Sequence, residues 1–158
     1  MHKNRSFGES FKYALSGFFH ALKNERNLRF HIWITALISI FAYNFGLART
    51  EWIALIMAIN FVLVCELINT AIENAVDTAT KEYSPTAKIA KDVAAGAVFT
   101  ASVSAVIVGL ILFFDIPRIF DTIKIICSDM FLLITVLLIM VIGGVFVVFG
   151  GKRKDKEK

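Results

Sequence analysis

Residues 52–77 read WIALIMAINFVLVCELINTAIENAVD, and the change of character at Glu66 within this stretch decides the fold. From Trp52 to Cys65 the run is apolar apart from Asn60, and Trp52 stands at its head as an interfacial aromatic. Glu66, Asn69, Glu73 and Asp77 then follow at steps of three, four and four. At roughly 100° per residue they fall within an arc of about 80° and span ~16 Å along one helix face. Ionisable groups in a membrane segment cost about 2.5 kcal/mol or more each and face a bundle interior or a polar cavity. Three carboxylates on one stripe also repel one another, so a divalent metal, lysines or proton uptake must relieve the strain. Asn60 lies roughly 120° away from this face, which assigns it to an interhelical hydrogen bond.

The rest of the chain supplies the solvent for such a helix. Of 158 residues 57% are hydrophobic and 15 are Phe, with a mean hydropathy of +0.69. A soluble domain of this size could not hide so much apolar surface, so the expectation is an all-α integral membrane protein. Residues 7–22 place Phe7, Phe11, Leu15, Phe18 and Leu22 at steps of three and four, with polar side chains between them. That pattern predicts an amphipathic surface helix in the membrane interface. Spans are expected over about 30–47, 52–77 and 85–114, with a tight loop at 48–51. A fourth runs from Met130 to Gly151. Ser84-Pro85 supplies a cap and a first turn for the third span. Ala97, Ala101, Ala105 and Gly109 along it form a small-residue stripe suited to close helix approach. Ile116, Ile119, Phe120, Ile123 and Ile126 predict a short interfacial helix between the last two spans.

The net charge of +4 does not point to nucleic acid, because the basic residues gather beside the spans. Lys3, Arg5, Lys12, Lys23, Arg26 and Arg29 precede the first span; Lys81, Lys88 and Lys91 precede the third. Lys152, Arg153, Lys154, Lys156 and Lys158 follow the fourth. The opposite connections hold only Arg49, Arg118 and Lys124, so 14 of the 17 basic residues lie on one side. That asymmetry places both termini in the cytoplasm, anchored to anionic headgroups. Cys65 and Cys127 form no CxxC and are expected as reduced structural thiols.

Glu25, Lys91 and Asp92 fall on the same side as the Asp77 end of the acidic stripe. Glu25 with Glu73 could supply carboxylates to magnesium, which takes one or two of them with waters and substrate phosphates. Lys91 would then meet a nucleotide phosphate. Glu25 and Arg29, four apart, are equally suited to a surface ion pair, and His20 and His31 are assigned to the interface. No GxxxxGK, kinase glycine-rich loop, HRD or DFG occurs. From the stripe alone, a kinase, a proton or cation translocator and a structural hydrogen-bonded bundle all stay open.

The dodecamer Glu66–Asp77 resembles the signature of the prokaryotic diacylglycerol kinase family, which includes undecaprenol kinases. The likeness extends to Ala14–Gly17, to Lys23-Asn24-Glu25-Arg26-Asn27-Leu28-Arg29-Phe30-His31 and to Ala90–Val98. It covers roughly residues 7–114, and its motifs look more like the undecaprenol kinase branch. The resemblance implies ATP-dependent phosphorylation of a membrane lipid alcohol in a bacterial plasma membrane. Undecaprenol is the first expectation and diacylglycerol the alternative. It implies a homotrimer with active sites shared between subunits. Glu66 is then the base for the lipid hydroxyl, Asn69 orients Glu66 or the substrate, and Glu25 and Glu73 hold Mg2+. Asp77, Glu82, Tyr83, Ser84, Lys91 and Asp92, with Tyr13 beside them, line the nucleotide. On this expectation residues 1–118 form the lipid kinase domain, and 119–158 add a transmembrane helix and basic tail without a family counterpart.

Overall fold

A computed structural model describes residues 6–151; Lys3, Arg5 and the basic tail from Lys152 to Lys158 lie outside the described residues. Among the described residues six helices follow one another: α1 (Phe7–Asn24), α2 (Arg26–Phe45), α3 (Arg49–Ala79), α4 (Pro85–Leu112), α5 (Ile116–Ser128) and α6 (Met130–Phe149). Among the described residues, α2, α3, α4 and α6 are long and apolar enough to cross a membrane. The protein is an all-α integral membrane protein with one amphipathic helix ahead of four candidate spans.

Local chemistry sets the boundaries. Ser6 caps α1 by accepting from the Glu9 N–H, while Glu9 accepts from the Ser6 N–H. The chain breaks at Glu25, whose extended backbone (φ −101°, ψ 119°) ends α1 and begins α2. The first span therefore starts at Arg26, earlier than its apolar run suggests. Gly46 ends α2 in the left-handed region at φ 75°, which glycine adopts without a Cβ clash. The loop expected at 48–51 is a correction: Arg49–Glu51 already form the first turn of α3, and Glu51 accepts from the Ala48 N–H at 2.6 Å. Ser84 caps α4 through the Ala87 N–H with Pro85 at the first position, as its sequence requires. Hydroxyls inside the spans return to carbonyls one turn back, as in Thr35 to His31 and Ser104 to Thr100.

The α3–α4 hairpin is the most extensive pairing, with α2 against α3 and α6 against the far side of α2. Ala42, Phe45, Leu47 and Leu55 form a core at the Gly46 end, covered by Phe113 and Ile119. Phe113 meets Phe41 and Phe45 edge-on at 5.3 and 5.2 Å. Arg118 of α5 stacks 4.3 Å from the Phe45 ring and donates to the Gly46 carbonyl at 2.6 Å.

Helix α6 returns antiparallel to α2. The Trp33 indole N–H donates to the Ile139 carbonyl at 3.0 Å. A Cβ at Gly143 would fall 2.0 Å from the Trp33 ring, so glycine is what allows this approach. At the other end Arg29, only 3% exposed, donates to the carbonyls of Leu22, Lys23 and Val147. These bonds, rather than an ion pair with Glu25, hold the α1–α2 junction against the end of α6.

Within the single chain, Asn60 departs from expectation and the small-residue stripe is shared between inside and outside. Asn60 is exposed, not wedged between helices of this chain. The small-residue stripe is split: Ala101 is buried within the chain, Ala97 is exposed, and Ala105 and Gly109 are half-buried. Cys65 and Cys127 are free thiols, as expected.

Candidate active site

The acidic stripe lies on the last four turns of α3, leading into the turn to α4. Glu66 is 2% exposed. Thr70 hydrogen-bonds its backbone carbonyl at 3.0 Å, but Glu66 Oε1 is buried without a hydrogen-bond partner. His31 Nε2 stands 3.4 Å away, near enough for electrostatic contact and without hydrogen-bond geometry. One turn on, the Asn69 amide donates to Glu73 Oε1 at 3.0 Å, while Asn69 Oδ1 is buried and unpartnered. Asn69 is thus bonded to Glu73 and not to Glu66.

Two unsatisfied buried oxygens so close together are costly unless something donates to them or coordinates them. They open into a pocket of about 320 Å³ lined by Asn27, Phe30, His31, Glu66, Asn69 and Glu73, with Val98 of α4 opposite. Among the described residues no group of three or more His, Cys, Asp or Glu is placed to hold a metal alone. Magnesium does not require one, since phosphates and waters complete its shell. Glu73 and the Asn69 Oδ1 are oxygen donors of the kind it takes, so the residues fit.

A turn beyond Glu73, Asp77 is paired with Lys91 of α4. Asp77, Glu82, Tyr83, Ser84 and Lys91 line a second polar pocket of about 310 Å³ at the α3–α4 loop, with Lys81 and Lys88 beside them. Five of the residues expected to meet a nucleotide are thereby gathered. Asp92 is exposed on α4 and does not line this pocket. Tyr13 lines a separate pocket between α1 and α3, with Thr70 and Asn74. Glu25 is half-buried at the α1–α2 junction and does not line the Glu66 pocket.

Sequence reasoning missed His31 and Asn27. The signal was available: they are four apart at the start of α2 and so share a face, directly after Glu25. On the other side of Phe30 and His31, an apolar cleft of about 600 Å³ runs between α2 and α4. The two cavities share those two residues, so a greasy slot and the pocket that Glu66 lines meet at Phe30 and His31.

The sequence profile of the prokaryotic diacylglycerol kinases matches residues 12–113. The chain belongs to that family. It is 38% identical over 114 residues to the undecaprenol kinase of Bacillus subtilis strain 168, covering 71% of this chain and 93% of that protein. It is 41% identical over 101 residues to a diacylglycerol kinase of Synechocystis, covering 63% of this chain and 58% of that one. A diacylglycerol kinase of Haemophilus influenzae is 32% identical over 106 residues, 66% of this chain and 90% of that protein. No solved structure matches it. As a member of this family the chain is a membrane lipid kinase, which removes the translocator alternative. The acidic stripe, the Glu66 pocket and the Asp77–Lys91 pair all fall inside the matched region, whereas α5 and α6 lie beyond it.

Proposed function

We propose that this kinase transfers the γ-phosphoryl group of ATP to the hydroxyl of a membrane lipid alcohol, and that undecaprenol is its substrate. One observation carries the reading: Glu66 Oε1, buried and without a hydrogen bond, belongs to the polar pocket that shares Phe30 and His31 with the apolar cleft. A lipid hydroxyl entering there has one acceptor waiting for its proton. Glu66 takes that proton as the oxygen bonds to the γ-phosphorus and ADP departs in line, a reaction that needs positioning and charge neutralisation more than covalent chemistry. Asn69, bonded to Glu73, keeps the Glu73 carboxylate directed and leaves its own Oδ1 toward the substrate side.

Glu73, with Glu25, is proposed to hold Mg2+, which when bound neutralises charge on the transferring phosphate. Asp77, Glu82, Tyr83, Ser84, Lys91 and Asp92 are proposed to receive the nucleotide, with Tyr13 beside them. Lys91 would exchange its Asp77 partner for phosphate oxygens. Undecaprenol is preferred over diacylglycerol because the Lys23–Asn27 and Asn69–Glu73 motifs look more like the undecaprenol kinase branch, and the B. subtilis undecaprenol kinase combines 38% identity with a match over 93% of its length. The basic asymmetry supports both termini in the cytoplasm of a bacterial plasma membrane, so that the polar pocket faces ATP. Residues 1–118 form the kinase unit, to which residues 119–158, with the rest of α5 and all of α6, are an addition, and it works as a homotrimer with sites shared between subunits. Few residues of α4 and α6 are buried within the chain, which leaves surface for such contacts.

The test is phosphoryl transfer by the purified protein in detergent, with labelled ATP, magnesium, and undecaprenol or diacylglycerol offered separately. Preferential labelling of undecaprenol supports the assignment. Preferential labelling of diacylglycerol replaces the substrate, and labelling of neither overturns the proposed reaction.

A further inference from the structure

The apolar cleft is closed partly by residues the family match does not reach. Its near end is Phe30 and His31, shared with the Glu66 pocket. From there it follows α2 to Phe41, a distance of about 15 Å at 1.5 Å per residue. Phe41 and Phe113 meet edge-on at 5.3 Å across that far end. The remaining wall comes from Ile126 of α5 and Val136 of α6. Opposite them Gly109 leaves the slot open, since a Cβ there would meet nothing within 4 Å. Helix α6 is held in place from the other side of α2 by Trp33 and Gly143. The far wall therefore belongs to the protein's own packing and not to a loose flank.

We infer that the two C-terminal helices complete a tail-binding subsite, in which the first ~15 Å of the acceptor lipid's hydrocarbon lies between α2, α4, Ile126 and Val136. The occupant is the lipid tail because the cleft is apolar apart from His31 at its mouth and Ser102, lies within the span region, and at Phe30 and His31 adjoins the pocket of Glu66, a buried carboxylate that a hydroxyl at the tail's head would reach. This deepens the lipid-alcohol reading above and rests on it. Gly109 and Val136 become the positions that set which tails are accepted.

Two measurements on the full-length protein test the inference. The first is photolabelling by a polyprenyl alcohol with a diazirine about 15 Å from its hydroxyl, which needs no turnover. Adducts on α5–α6 near Ile126 and Val136, or on α4 near Gly109, are expected. Adducts confined to lipid-facing positions such as Val141, 64% exposed, would overturn the subsite. The second compares undecaprenol with a short isoprenoid alcohol that ends before Gly109. Gly109→Leu and Val136→Phe are each expected to raise the KM for the long tail at least about tenfold more than that for the short one. Val141→Phe should not alter the ratio.

An unchanged ratio in both cleft variants contradicts the inference. So does a lowered oligomeric mass in Gly109→Leu, because the cleft would then seat a neighbouring helix. If the wild type is photolabelled in the cleft yet phosphorylates neither alcohol, the subsite stands and the reaction assignment fails.

Discussion

His31 Nε2 lies 3.4 Å from Glu66 Oε1 without bonding to it, so the imidazole edge flanks the carboxylate that the lipid hydroxyl is proposed to reach. The histidine is 22% exposed against 2% for the glutamate. It therefore forms the side of the entrance rather than its floor. His31→Phe keeps a flat ring but removes the polar edge. It is expected to raise the KM for the lipid while magnesium-ATP binding holds, as measured by initial rates and nucleotide titration. An equal loss of nucleotide affinity would mean that His31 organises the whole site.

Asn69 and Glu73 are expected to fail together. Glu73→Gln removes a charge proposed to hold magnesium, so apparent magnesium-ATP affinity should fall and excess magnesium should recover part of the rate. Asn69→Ala leaves Glu73 without its 3.0 Å donor and should shift the magnesium dependence in the same direction by a smaller amount. A magnesium titration of both variants is the check. An unshifted midpoint in Glu73→Gln would remove it from the metal assignment.

The docking of α6 is tested at Gly143. Any larger residue there drives a Cβ into the Trp33 ring, 2.0 Å away. Overpacking of this kind costs about 1–3 kcal/mol, so Gly143→Val should lower the thermal midpoint in detergent. Trp33→Phe relieves the clash only partly and gives up the bond to Ile139, worth roughly 0.6–1.7 kcal/mol between membrane helices. Wild-type stability in Gly143→Val would mean that α6 does not pack on α2 in this register.

Sidedness has a built-in control. Cys127 is a free, exposed thiol on α5, at the end of the bundle proposed to face outward. In intact cells an impermeant maleimide is expected to label Cys127 and to spare a cysteine introduced at Lys156. Labelling of the introduced residue would reverse or break the four-span arrangement.

Much of this architecture was legible because membrane helices announce themselves by length and apolarity. Ser84-Pro85 fixed the start of α4 and the alternating isoleucines of 116–126 fixed α5, since capping and amphipathicity are local. The stripe from Glu66 to Asp77 was visible as a helical period, and so was the proximity of Lys91 across a short loop. What depended on packing between distant segments was not. The roles of Arg29 and Trp33 come from α6, more than a hundred residues away, and nothing in their neighbourhood signals it. Asn60 and Ala101 were assigned to contacts from residue type and helical position. A helix period cannot say which neighbour lies on which face, so the structure placed the first outside and the second inside the chain.

The most direct measurement compares Glu66→Gln with the wild type in transfer of labelled phosphate to undecaprenol, with magnesium-ATP binding followed in parallel. The amide keeps the size of the side chain at a site that is 2% exposed but cannot accept the hydroxyl proton. Turnover is expected to fall by a factor of about 10² to 10⁴ with nucleotide affinity retained. Near-wild-type turnover in this variant would contradict the account, because the buried Glu66 oxygen would then have no part in the transfer.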